Sequence, residues 1–93
     1  MTTTKEVWNE ATIKGSQNCI NELKRYSEEY DNEAVNALNT IEENFKNSKK
    51  IGDVTGLLDT SLHLSLLKNY LLGYKYSMDE LKSRLNRNYS NAA

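Results

Sequence analysis

The sequence predicts an all-α fold, a small antiparallel bundle of three or four helices, on three observations. Proline is absent from all 93 residues, so nothing in the chain forbids a helix. Apolar residues recur with the helical period from near the start of the chain to Phe45. The stretch from Leu57 to Tyr74 places leucine or tyrosine on almost every side of a helical wheel, and a helix of that kind belongs in the middle of a fold.

Thr3 with Glu6 three residues later forms a capping box, which starts the first helix near Lys5. Its stripe runs through Trp8, Cys19, Leu23, Tyr30, Ala37, Ile41 and Phe45 without losing phase. Phase continuity favours one long N-terminal helix over residues 5–47, roughly 60 Å at 1.5 Å per residue. A mean helix of about 11–12 residues argues for a break. Two places offer one: Gly15–Ser16, and Asp31–Asn32, where a tight turn would convert the chain into a four-helix bundle.

Residues 47–56, NSKKIGDVTG, read as a loop, with Gly52 as a left-handed cap and Asp53 or Thr55 capping the next helix. The central apolar helix is expected at about residues 56–75. One seam holds Leu57, Leu64, Leu67, Leu71 and Tyr74, and a second holds Leu58, Leu62, Leu66 and Tyr70, leaving Ser61, Ser65 and Lys68 as the wet strip. A second capping box, Ser77 with Glu80, opens a short C-terminal helix over about residues 78–89 with Met78, Leu81 and Leu85 inward. No repeat, low-complexity tract or long linker divides the chain, so residues 1–93 read as a single helical domain.

Charge excludes some functions. A net charge of −1 supplies no positive field for general nucleic-acid or anionic-membrane binding. Residues 1–45 carry four basic and nine acidic side chains and residues 46–93 carry eight and four, so the acidic half is expected to pack beside the basic half. Cys19 is the single cysteine and cannot close an internal disulfide, and the opening residues lack a signal-peptide pattern. The compartment expected from these is cytoplasmic. The Leu57–Tyr74 stretch is too short and, with Asp59, His63 and Lys68, too polar to span a membrane.

Candidate chemistry is sparse. Asp59 lies one turn before His63, the only histidine, and such a pair can orient an imidazole as a general base, yet no nucleophile motif accompanies it. One cysteine and one histidine are too few for a structural zinc, no Glu-x-x-His motif builds a di-metal centre, and no glycine-rich phosphate loop is present. No cofactor, metal or small-molecule substrate is therefore expected. Lys82, Arg84 and Arg87 form a basic patch on the last helix, and YSMDELKSRLNR resembles the first helix of helix-turn-helix units, although the chain ends where a recognition helix should follow. Val7 and Ala11 beside Trp8, on the outer side of the first helix, suggest a docking surface. Six tyrosines, Tyr26 and Tyr30 among them, suit an interface, because each has an apolar body and a polar tip; core and boundary positions explain them equally well.

The expected function is non-catalytic binding of a protein partner through helix faces, as in a small inhibitor, an immunity or counter-defence factor, a chaperone or an assembly subunit. The protein-binding residues expected are Val7, Trp8, Ala11, Tyr26, Tyr30, Lys82, Arg84 and Arg87. Homo-oligomerisation is expected as well, because the helix lengths are mismatched. The alternative is a nucleic-acid-associated accessory protein using the basic C-terminal helix, and the third reading is a small enzyme using Asp59 and His63.

Overall fold

The computed structural model describes the backbone of residues 4–92 and the side chains of residues 10–86. Four helices pack together: α1 over Thr4–Arg25, α2 over Asn32–Ile51, α3 over Val54–Leu71 and α4 over Tyr76–Ala92. No strand occurs among the described residues.

The long first helix breaks, and it breaks beside Asp31. Tyr26 N–H turns in to Leu23 O, Ser27–Glu29 form one 3-10 turn, and Tyr30 is extended with φ −90° and ψ 153°. Asp31 then caps α2, its Oδ1 accepting from Ala34 N–H at 2.8 Å. The connection is thus longer than a two-residue turn at Asp31–Asn32. Gly15, the other candidate break, lies inside α1. Continuity of the wheel was a poor guide here because α1 and α2 each need an apolar stripe of their own, and agreement in phase between two separate stripes says nothing about the residues joining them. The reason for doubling back is reach. The 18 residues of α3 span about 27 Å, so an unbroken helix of twice that length would leave half its stripe uncovered, whereas two shorter helices both lie on α3.

Other boundaries shift by smaller amounts. Residues 47–51 continue α2, so the expected loop shrinks to Gly52 and Asp53. Gly52 takes the left-handed conformation at φ 71°, Asp53 N–H closes on Ser48 O at 2.9 Å, and Asp53 Oδ1 accepts from Gly56 N–H at 3.1 Å to start α3. The central helix ends at Leu71, four residues earlier than expected, and turns through Gly73 at φ 111°. The last helix starts at Tyr76, so Ser77 is a buried first-turn residue and not the N-cap. The Thr3–Glu6 capping box lies outside the described residues.

α3 is the centre of the packing, in contact with all three other helices. Leu57, Leu64, Leu66 and Leu67 of α3 join Ile20, Leu23, Leu38, Ile41, Phe45, Met78, Leu81 and Leu85 in one continuous core. Each large side chain buried there contributes about 1.5–3 kcal/mol before chain entropy is subtracted. The two leucine seams are not equally used. Leu58 and Leu62 are exposed, at 45% and 39%, while the polar Thr60 and His63 are buried. The covered arc faces α1, α2 and α4, so the opposite arc is wet whatever residues it carries. That arc is wider than the strip of Ser61, Ser65 and Lys68 alone. Tyr74 lies past the end of the helix, which removes it from the first seam.

Candidate functional site

The two loops at which α2 and α4 begin and α3 ends lie side by side, and they collect most of the tyrosine in the protein. Tyr26 and Tyr30 come from the connection between α1 and α2; Tyr70, Tyr74 and Tyr76 come from the end of α3 and the start of α4. Tyr30, Asp31, Tyr70, Gly73 and Lys75 line a shared depression of about 250 Å³. Five of the six tyrosines therefore stand at one end of the bundle.

Asp31 holds that end together. Its Oδ1 is committed to the N-terminus of α2, and its Oδ2 accepts a hydrogen bond from the Tyr70 hydroxyl across the depression. The Tyr70 hydrogen bond, followed by that of Ala34 N–H, holds the Asp31 carboxyl below the usual carboxylate range. Reciprocally, donation to Asp31 pushes the Tyr70 phenol up to about 12. Burial raises the Tyr30 phenol, with the Glu29 and Glu22 charges acting in the same direction. Tyr30 and Tyr70 thus pack against the core as structural members.

The remaining tyrosines of this end, with Leu72, face water. Leu72 is 76% exposed, Tyr76 71%, Tyr74 53% and Tyr26 51%. Tyr74 and Tyr76 stack edge to face with ring centroids 6.1 Å apart. Leu72 and Tyr76 are more exposed than Leu58 and Leu62, and they flank the short turn between α3 and α4, Tyr76 being the first residue of α4. Four of the seven exposed large apolar or aromatic side chains among the described residues thus stand at the tyrosine-rich end; Leu58, Leu62 and Ile51, the last 75% exposed, stand apart from it.

The expected binding residues are dispersed. Ala11 is exposed on α1, about 22 Å along the helix from Tyr26. Val7, Trp8 and Arg87 lie outside the described side chains. Lys82 pairs with Glu33, whose hydrogen bond raises the lysine pKa, and Arg84 Nη2 meets Glu80 at 3.2 Å. Two of the three cations of the basic patch are therefore already engaged by carboxylates. The Lys82–Glu33 pair joins the two halves of the chain, as their opposite charges predict, while Lys24 pairs with Glu42 inside the acidic half at 3.0 Å. Tyr26 and Tyr30 are brought to the aromatic end, and of these Tyr26 is the more exposed. Leu72, Tyr74 and Tyr76 are not among those eight expected residues, although both tyrosines belong to the six that suit an interface. The available signal was LLGYKY, an apolar and aromatic run around a glycine, which on a continuous helical wheel reads as seam.

Asp59 and His63 line a second cleft of about 350 Å³ between α2 and α3, with Asn44, Asn47, Ser48 and Thr60 among its walls. Burial lowers the His63 pKa against the opposing pull of Asp59, so the imidazole is neutral at pH 7. Thr60 Oγ1 donates to Gly56 O at 2.9 Å, which occupies its proton within the helix, and Cys19 lies in a different cleft, against Ser61, Ser65 and Lys68. The buried Nδ2 of Asn44 has no hydrogen-bond partner. Among the described residues no group of three or more His, Cys, Asp or Glu stands close enough to hold a metal ion, and no helix is long and apolar enough to cross a membrane.

No protein-family model matches the chain, and no curated protein and no solved structure matches it significantly.

Proposed function

We propose that this protein acts without catalysis, by binding a protein partner through its tyrosine-rich end, in the manner of a small helical inhibitor, immunity or counter-defence factor, chaperone or assembly subunit. The observation that carries the reading is the exposure of Leu72, Tyr74 and Tyr26 on adjoining loops, and of Tyr76 at the start of α4, at an end of the bundle that the Tyr70–Asp31 hydrogen bond ties together. Tyrosine is enriched at protein interfaces because a large ring brings contact area at low conformational cost, with a hydroxyl left for hydrogen bonding. Loops fixed on a rigid helical frame suit such a role, since little order has to be gained on binding.

The test is affinity capture from the native host with two baits, the natural chain and the triple variant Leu72→Ser, Tyr74→Ala, Tyr76→Ser. These side chains are exposed, so the variant should keep its helical circular dichroism and melting behaviour. A protein retained by the natural chain and lost with the folded variant is expected. Capture that is indifferent to the triple substitution refutes the assignment of this surface.

A further inference from the structure

We infer that the cleft between α2 and α3 lined by Asn44, Ser48 and His63 binds a small neutral polyhydroxyl molecule of about the size of a monosaccharide. It is built from the second half of α2 and the first half of α3, toward the opposite end of the bundle from the tyrosines, so binding there is independent of the protein-binding reading. Three neutral polar side chains in this cleft are withdrawn from water without being paired. His63 is 3% exposed and Ser48 9%, and neither side chain makes a hydrogen bond among the described residues. The third is Asn44, whose buried Nδ2 has no partner. Buried polar groups are nearly always hydrogen-bonded, and three exceptions in one cleft call for a partner from outside the chain.

The three groups together ask for a ligand that both donates and accepts. The Asn44 amide N–H needs an acceptor, the neutral His63 ring offers one N–H and one bare nitrogen, and the Ser48 hydroxyl does either. A hydroxyl answers each of them, and neighbouring hydroxyls on one small frame answer them together. Asn47 and the Asp59 carboxylate add further hydrogen-bonding groups to the walls, while Ile51, 75% exposed, offers an apolar surface to the C–H face of a ring. At about 350 Å³ the cleft is at the small end of the range for small-molecule sites, which suits a single ring. Two carboxylates, Asp53 and Asp59, and no lysine or arginine are among its lining residues, so a phosphate or carboxylate finds no charged partner in the lining. A Cβ at Gly56 would run into the Ser48 hydroxyl, so the glycine preserves that group in its place.

The full chain tests this at pH 7 with four neutral probes, glucose, galactose, mannose and inositol, and two charged counterparts, glucosamine and glucose 6-phosphate. Binding and its place are read together by amide shift changes in nuclear magnetic resonance. At least one neutral probe should bind, shifting amides of residues 44–63, and glucose 6-phosphate should bind more weakly than that probe. Asn44→Ala and, separately, Asn47→Ala should each weaken binding by about threefold to tenfold, the value of one hydrogen bond. Alanine is the better helix former at both positions, and Asn47 is exposed, so the helical circular dichroism should persist; if Asn44→Ala fails to fold, Asn47→Ala decides. Failure of all four neutral probes assigns the cleft to bound water and overturns the inference. Shifts that map elsewhere, binding confined to the charged probes, glucose 6-phosphate bound as tightly as the best neutral probe, or folded variants that bind as the natural chain does overturn it as well.

Discussion

Alanine at Gly15 and alanine at Gly56 should change stability in opposite directions, although both glycines lie in helices. A Cβ added at Gly15 has no heavy atom within 4 Å. Relief of glycine's backbone entropy then acts alone, and Gly15→Ala should stabilise by about 0.5–1 kcal/mol. A Cβ added at Gly56 penetrates Ser48 Oγ on α2 and stands 2.8 Å from Asp53 Oδ2 and 3.0 Å from Ser48 Cβ. Rotating Ser48 moves its hydroxyl and leaves its Cβ in place, while displacing Asp53 disturbs the cap it provides to Gly56 N–H. Overpacking of this kind costs about 1–3 kcal/mol. Set against a propensity gain of about 0.5–1 kcal/mol, the net loss for Gly56→Ala is on the order of 1 kcal/mol. For a domain of this size, about 4–8 °C in Tm corresponds to 1 kcal/mol. Urea and thermal unfolding followed by far-ultraviolet circular dichroism measure both variants, and adding Ser48→Ala to Gly56→Ala should recover part of the loss as a coupled pair. A Gly56→Ala protein as stable as Gly15→Ala would refute the close approach of α2 and α3; destabilisation by Gly15→Ala would refute a continuous α1.

Two predictions concern protons. In an ultraviolet titration one tyrosine should remain protonated until about pH 12, and Asp31→Asn should bring it back toward 10, because donation to the carboxylate is what holds that proton on Tyr70. Between those two values the unfolded chain has lost a proton that the folded one keeps, so stability falls as pH rises through the interval, and a flat stability profile there would contradict the bond. His63 works in the acid direction: its folded pKa lies below 6.5, so its contribution is complete above 6.5 and is lost as pH falls through the folded value. Replacing His63 with Gln should remove that acid-limb component, as read by urea midpoints from pH 7 downward.

Much of the fold is legible in residue order because helices are local. The absence of proline, the stripe ending at Phe45, the left-handed cap at Gly52 and the capping carboxylates of Asp31 and Asp53 are each read from a few neighbouring residues, and each appears where its chemistry requires. The place at which the first stripe breaks was legible only as one of two alternatives. Local propensity at Gly15 and at Asp31 was comparable, and the outcome depended on whether both stripes could reach α3.

The aromatic end shows the same division. That six tyrosines are present, and that Leu72 adjoins Tyr74 and Tyr76, belongs to the sequence alone. That Tyr26 and Tyr30 come to the same end of the bundle as Tyr70, Tyr74 and Tyr76, some forty residues later, is a property of the tertiary fold, since only the packing of α2 on α3 sets Asp31 beside Tyr70. Burial is likewise decided in three dimensions. Leu58 and Leu62 have the same side chain as Leu64 and Leu67, but which arc of α3 stays dry depends on where the other three helices lie. Helical period and caps are written in neighbouring residues; the choice of which apolar residues remain outside belongs to the assembled bundle.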